Sequence, residues 1–153
     1  MSPKISRPFQ YLVVVLLAMA CFASTMARAN PETEINVTEA YALLEQNKVT
    51  LVDIRTPQEW RQTGVAKGAK RVNLLDPQGL QGFAQKIYEA VNGDLNAPIV
   101  LICRTGNRTS KVTPILRQAG FTNLKHAPQG MVGSKAGKGW IDSGLPVEPC
   151  PNC

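Results

Sequence analysis

The 153-residue chain has no internal repeat and no low-complexity tract, which excludes a repeat array. It has no basic tract interleaved with aromatics, so its formal charge of +6 is not a nucleic-acid footprint. It has one histidine, His126, and four cysteines. The length allows one domain with a full core and excludes two. The unbroken apolar run Tyr11 to Ala20 is shorter than the roughly 20 residues that a membrane-spanning helix needs.

That run has a different reading. Lys4 and Arg7 precede it, and Ala27-Arg28-Ala29 supplies a small-x-small cleavage pattern before Asn30. Residues 1–29 therefore read as a secretory signal peptide, and the expected location is the periplasm. Contact with a membrane is expected only through this segment, before cleavage. Processing and lipidation at Cys21 is the minor alternative, with Ala18 where such sites usually carry Leu. Cleavage removes Lys4, Arg7 and Arg28 and no acid, so the charge falls from +6 by three to +3.

Cleavage also leaves three cysteines, an odd number. In an oxidising compartment one pair can close and one thiol remains. Nearness in sequence favours Cys150 with Cys153, which leaves Cys103 free.

Along the mature chain, residues 30–37 read as a polar leader and 38–148 as the domain, with 149–153 a tail. Thr38 is placed to cap a helix through Glu45. Val49 to Ile54 is a strand buried on both faces. Thr56 to Gly68 reads as loop with a helical turn at Glu59-Trp60-Arg61. Arg71 to Leu75 is a short strand. Phe83 to Val91 has helical spacing and stops at Asn92-Gly93. Ile99 to Ile102 is a buried strand, Ser110 to Ala119 a helix, and Phe121 to Lys125 a strand. The rest reads as loop. Alternating strands and helices indicate an α/β domain with a mainly parallel sheet, whose sites lie beyond the carboxyl ends of its strands.

Cys103 stands just beyond one such end, in IVLICRTGNRTSKV (Ile99 to Val112). A thiol attacks only as thiolate. Three features here favour that form: a loop that can aim N–H groups at one point with Gly106 allowing the turn, the start of a helix, and the fixed charges of Arg104 and Arg108. The same features attract an oxyanion. A buried structural cysteine would need neither arginine. Cysteine phosphatases place five residues between cysteine and arginine, whereas Cys103 and Arg108 enclose four. The smaller cradle suits a single sulfur atom more than a phosphate.

LVDIRTPQEW (Leu51 to Trp60), GVAKGAKRVNL (Gly64 to Leu74), the Cys103 segment and GWIDSGLPV (Gly139 to Val147) together resemble the ordered signatures of single-domain rhodaneses, of the exported bacterial type. The resemblance implies a rhodanese-like fold with a sheet of about five strands flanked by helices. It implies a sulfurtransferase in which Cys103 takes a sulfane sulfur from thiosulfate, holds it as a persulfide and passes it to cyanide or a thiol. Arg104 and Arg108 would bind the sulfonate, and the N–H groups of Thr105, Gly106 and Asn107 would cradle the persulfide. Asp53 and Arg55 would brace the loop. Neither a cofactor nor a metal is called for. Trp60 and Trp140 read as packing residues, and His126 as a surface or packing residue outside the chemistry. Val65 and Ala66 depart from the Gly-His-Ile-x-Gly-Ala pattern of many relatives, and the segment His126 to Gly139 is longer than in minimal ones.

Cys150-Pro151-Asn152-Cys153 ends the chain with no room for a following helix. It reads first as a local disulfide. Second, it reads as a redox tail acting on Cys103, which would engage a thiol-redox partner. Third, it reads as a soft-metal ligand pair completed by a partner. Three functions from different classes follow: a sulfurtransferase, a binding or persulfide-delivery module, and a thiol-redox or metal-handling protein acting through Cys150 and Cys153.

Overall fold

The computed structural model describes residues 33–153. The expected signal segment, its cleavage site and Cys21 lie outside the described residues. Four strands form one parallel sheet: β1 (Thr50–Asp53), β3 (Lys70–Arg71), β4 (Ile99–Ile102) and β5 (Leu124–His126), in the order β3-β1-β4-β5. The expected count was about five; the difference lies at the β5 edge, where Glu34 adds a parallel bridge to His126 without becoming a strand. A separate antiparallel pair joins β2 (Val65–Ala66) to β6 (Val147–Glu148). Among the described residues four helices complete the domain: α1 (Val37–Glu45), α2 (Pro57–Thr63), α3 (Gly79–Ala90) and α4 (Asn107–Gln118).

The central strands are apolar because both of their faces are covered. On one face Val52, Ile54, Ile99 and Leu101 pack with Phe83, Ile87, Val112 and Leu116 of α3 and α4. On the other, Leu51, Val100 and Ile102 pack with Ala40, Met131 and Trp140. Trp140 and Trp60 are buried, and the Trp140 indole N–H donates to the Pro146 carbonyl at 2.8 Å.

Several boundaries differ from those read in the sequence. The α1 cap is Asn36, whose Oδ1 accepts the Glu39 N–H at 2.8 Å, and Thr38 lies inside the helix. The polar leader is correspondingly shorter, since Ile35 and Val37 are buried and the Ile35 N–H donates to the His126 carbonyl. Pro57–Thr63 is a full helix opened by a capping box, in which Thr56 and Glu59 satisfy each other's N–H groups. The chain leaves α2 through Gly64, at φ 73°, where a Cβ would meet the Glu148 carbonyl oxygen at 2.7 Å.

Register fixes the edge that matters. Asp53 lies opposite Ile102 on one side and Arg71 on the other. The carboxyl ends of β3, β1 and β4 are therefore level, and Cys103 follows directly from β4.

Candidate active site

Cys103 is the free cysteine among the described residues, and it is 1% exposed. The chain turns from β4 into α4 through Arg104, Thr105 and Gly106. Gly106 caps the helix at φ 79°, and a Cβ there would lie 2.1 Å from the Pro128 carbonyl oxygen, so this turn admits only glycine. The segment after β5 closes the outer side of the loop. Met131 N–H donates to the Cys103 carbonyl at 2.9 Å, and Val132 N–H to that of Arg104 at 3.0 Å. With these carbonyls engaged outward, the first-turn N–H groups of α4, which no helix satisfies internally, are left for an anion beside the sulfur.

Gly106 is buried within the turn, while Arg104, Thr105 and Asn107 are exposed at the mouth. Arg108 is half-buried, and the structure gives it a partner the sequence reading missed. Its Nη1 donates to Glu59 Oε2 at 2.7 Å and its Nη2 to Oε1 at 2.5 Å. Burial pushes the Glu59 carboxyl up, but the bonds from Arg108 and the Thr56 N–H outweigh that and hold it at about 2. The Glu59 contact likewise raises Arg108 above the ordinary guanidinium value against its burial, and the nearby Cys103 adds to the effect. Arg108 is thus anchored between α2 and the thiol. The sequence did carry a signal for Glu59, the Thr56-x-x-Glu59 capping pattern, but not for its second use.

Asp53 and Arg55 form a buried ion pair at 2.7 Å, with side chains 0% and 1% exposed. Arg55 also donates to Thr63 Oγ1 at 2.7 Å and the Gly64 carbonyl at 2.6 Å. The pair therefore ties the end of β1 to the end of α2. Its support reaches the Cys103 loop through α2 and the Glu59–Arg108 contact.

Two further residues stand behind the thiol. Thr109 Oγ1 lies 3.8 Å from Cys103 Sγ, 2.9 Å from the Gly106 carbonyl and 3.2 Å from His126 Nδ1. His126 is buried, which lowers its pKa, while Glu34 at 3.8 Å pulls the other way. It packs against the active loop rather than on the surface.

A buried thiol thus stands at the carboxyl end of a parallel strand, on a six-residue segment that opens a helix. The model of the Rhodanese-like domain matches residues 36–136. The chain belongs to the rhodanese-like family. Thiosulfate sulfurtransferase 16, chloroplastic, of Arabidopsis thaliana is 32% identical over 120 residues, 76% of this chain and 92% of that one. The uncharacterised protein RP600 of Rickettsia prowazekii is 30% identical over 112 residues, 71% and 91% of the two chains. Among solved structures, Rv0390 of M. tuberculosis superposes with a TM-score of 0.59 at 24% identity, covering 77% of this chain and 98% of its own. The rhodanese-like domain here thus has the family's fold.

At the tail of this rhodanese-like chain, Cys150 and Cys153 are joined by a disulfide. The Arg71 guanidinium lies against both sulfurs, with Nη1 at 2.6 Å and 2.7 Å. Arg61 donates to the Cys153 carbonyl oxygen. Among the described residues no cluster of three or more metal-ligating side chains occurs.

Proposed function

We propose that the protein is a sulfurtransferase that works through a Cys103 persulfide. The observation that carries this is the free thiol of Cys103 held at the mouth of the α4 N-terminus, with Arg108 fixed beside it. The Cys103 thiolate attacks the outer sulfur of thiosulfate. The sulfur–sulfur bond breaks, sulfite leaves with the bonding pair, and Cys103 keeps the sulfane sulfur. Arg104, exposed at the mouth, receives the sulfonate, while Arg108 and the N–H groups of Thr105, Gly106 and Asn107 stabilise the charge on the persulfide. Cyanide or a thiol then removes the sulfur. Thiosulfate is the first donor to test because it is named in the Arabidopsis relative.

The site of action is the periplasm, reached through residues 1–29, and sequencing the amino terminus of the exported chain tests where the segment is cut: Asn30 supports cleavage after Ala29, whereas a lipid-modified Cys21 refutes that cleavage. For the chemistry, the mature protein with its Cys150–Cys153 disulfide intact is incubated with thiosulfate, its intact mass is measured and sulfite is assayed in the same sample. A gain of one sulfur atom with matching sulfite, both lost in Cys103→Ser, is the expected outcome. No gain and no sulfite from a reduced Cys103 refutes thiosulfate as the donor.

A further inference from the structure

The disulfide at the tail and the reactive loop stand on the same edge of the sheet. Arg71 ends β3, Asp53 ends β1 opposite it, and Ile102 ends β4 opposite Asp53. Neighbouring strands are about 4.8 Å apart, so the backbones of Arg71 and Ile102 are about 10 Å apart, and Cys103 is the next residue. The sulfurs of Cys150 and Cys153 rest on the Arg71 guanidinium. Both cysteines are only partly buried. The chain is pinned by the β2–β6 ladder as far as Glu148. The five residues beyond it span up to about 17 Å when extended, longer than the spacing between the Arg71 and Ile102 backbones.

The charge at the tail is also unusual for an inert staple. A disulfide carries no charge and needs no cation. A thiolate does, and a guanidinium that never deprotonates favours it at neutral pH. Arg71 touches both sulfurs, so whichever cysteine is released as thiolate has the same counter-charge.

We propose that the reduced Cys150–Cys153 pair is a built-in acceptor for the sulfur held on Cys103. The inference rests on the persulfide reading above and names the acceptor for it. The thiolate of one tail cysteine attacks the outer sulfur of the Cys103 persulfide. The bond from that sulfur to Cys103 Sγ breaks, and Cys103 recovers its thiolate with the bonding pair. The tail cysteine now carries the persulfide. The second tail thiolate attacks the inner sulfur of that group, closes the Cys150–Cys153 bond and expels sulfide, which takes a proton from water. The two tail thiols lose two electrons and the sulfane sulfur gains them. An external dithiol, itself oxidised to a disulfide, resets the tail by thiol–disulfide exchange. In this cycle the Cys150–Cys153 disulfide is the form of the tail after sulfide release.

The test uses the mature full-length chain, reduced and freed of reductant, then given one equivalent of thiosulfate. Sulfide and intact mass are followed with time in the wild type, in Cys150→Ser/Cys153→Ser and in Cys103→Ser. The wild type is expected to release one sulfide per chain and to end two hydrogens lighter, with no sulfur retained. The double variant is expected to keep the sulfur on Cys103 at least tenfold longer and release no sulfide. Arg71→Gln is expected to slow sulfide release without changing uptake. Equal persulfide lifetimes in the wild type and the double variant, with no sulfide from either, overturn the tail as acceptor while leaving sulfur uptake standing. No uptake in any chain overturns the Cys103 reading and this inference with it. Sulfide release from Cys103→Ser at the wild-type rate also overturns it, because the tail would then act without Cys103.

Discussion

Replacing Glu59 by Gln isolates the charge of the Glu59–Arg108 pair. Gln still accepts at the capping box, so the start of α2 survives. What is lost is the carboxylate under Arg108. Glu59 lies at about 2 instead of 4.5, which corresponds to about 3 kcal/mol at roughly 1.36 kcal/mol per tenfold change in proton affinity. The side chains of Arg108 and Glu59 remain 30% and 15% exposed, and solvent screening removes about half, leaving about 1–2 kcal/mol. For a domain of this size that lowers Tm by about 5 °C at pH 7. The sign with pH is fixed: a carboxyl held low in the folded state stabilises above its unfolded value and loses that contribution as pH falls through the folded one. The difference between wild type and Glu59→Gln should therefore be full above pH 4.5 and shrink towards pH 2. Thermal melts of both chains across that range check it. A difference that persists undiminished at pH 2, or none at pH 7, refutes the assignment of Glu59 as the counter-charge of Arg108.

Asp53→Ala leaves the buried Arg55 charge without its partner and should cost about 3–5 kcal/mol, read as a shifted urea midpoint. Gly106→Ala forces a Cβ into the Pro128 carbonyl at a positive φ, so the loop must move; sulfur uptake by intact mass should be lost while the far-ultraviolet circular dichroism stays folded. Asn36→Ala removes the α1 cap and should cost about 1 kcal/mol in denaturant unfolding, whereas Thr38→Ala should cost clearly less.

The parts of the fold that were legible are those whose signal is local. Ile99–Ile102 was readable to the residue because an apolar run sits between Pro98 and the polar turn. The breadth of α4 was not: Asn107 to Lys111 contains no apolar residue to set a period, so the reading began three residues late. At α1 two good capping residues, Asn36 and Thr38, compete two positions apart, and burial of Val37 decides for the first. The ladders β2 and β6 have two residues each, too few to show alternation, and they pair across most of the domain.

The site divides along the same line. Cys103, its loop and the glycine that bends it lie in six consecutive residues, so they are legible together. Their partners do not. Arg108 meets Glu59 across 49 residues and Arg71 meets the tail sulfurs across 79 and 82. These pairings change what the charges do. Two arginines in the loop suggest two positive charges offered to a substrate. In the folded chain Glu59 neutralises Arg108, so its guanidinium is oriented rather than freely available. In the proposed reaction the attraction for an incoming dianion then falls to Arg104 at the mouth and to the α4 N-terminus. Arg108, in the same proposed reaction, is held for the step in which charge moves on the sulfur. A fixed, paired cation costs little to reorganise at that moment, which is what a preorganised site requires.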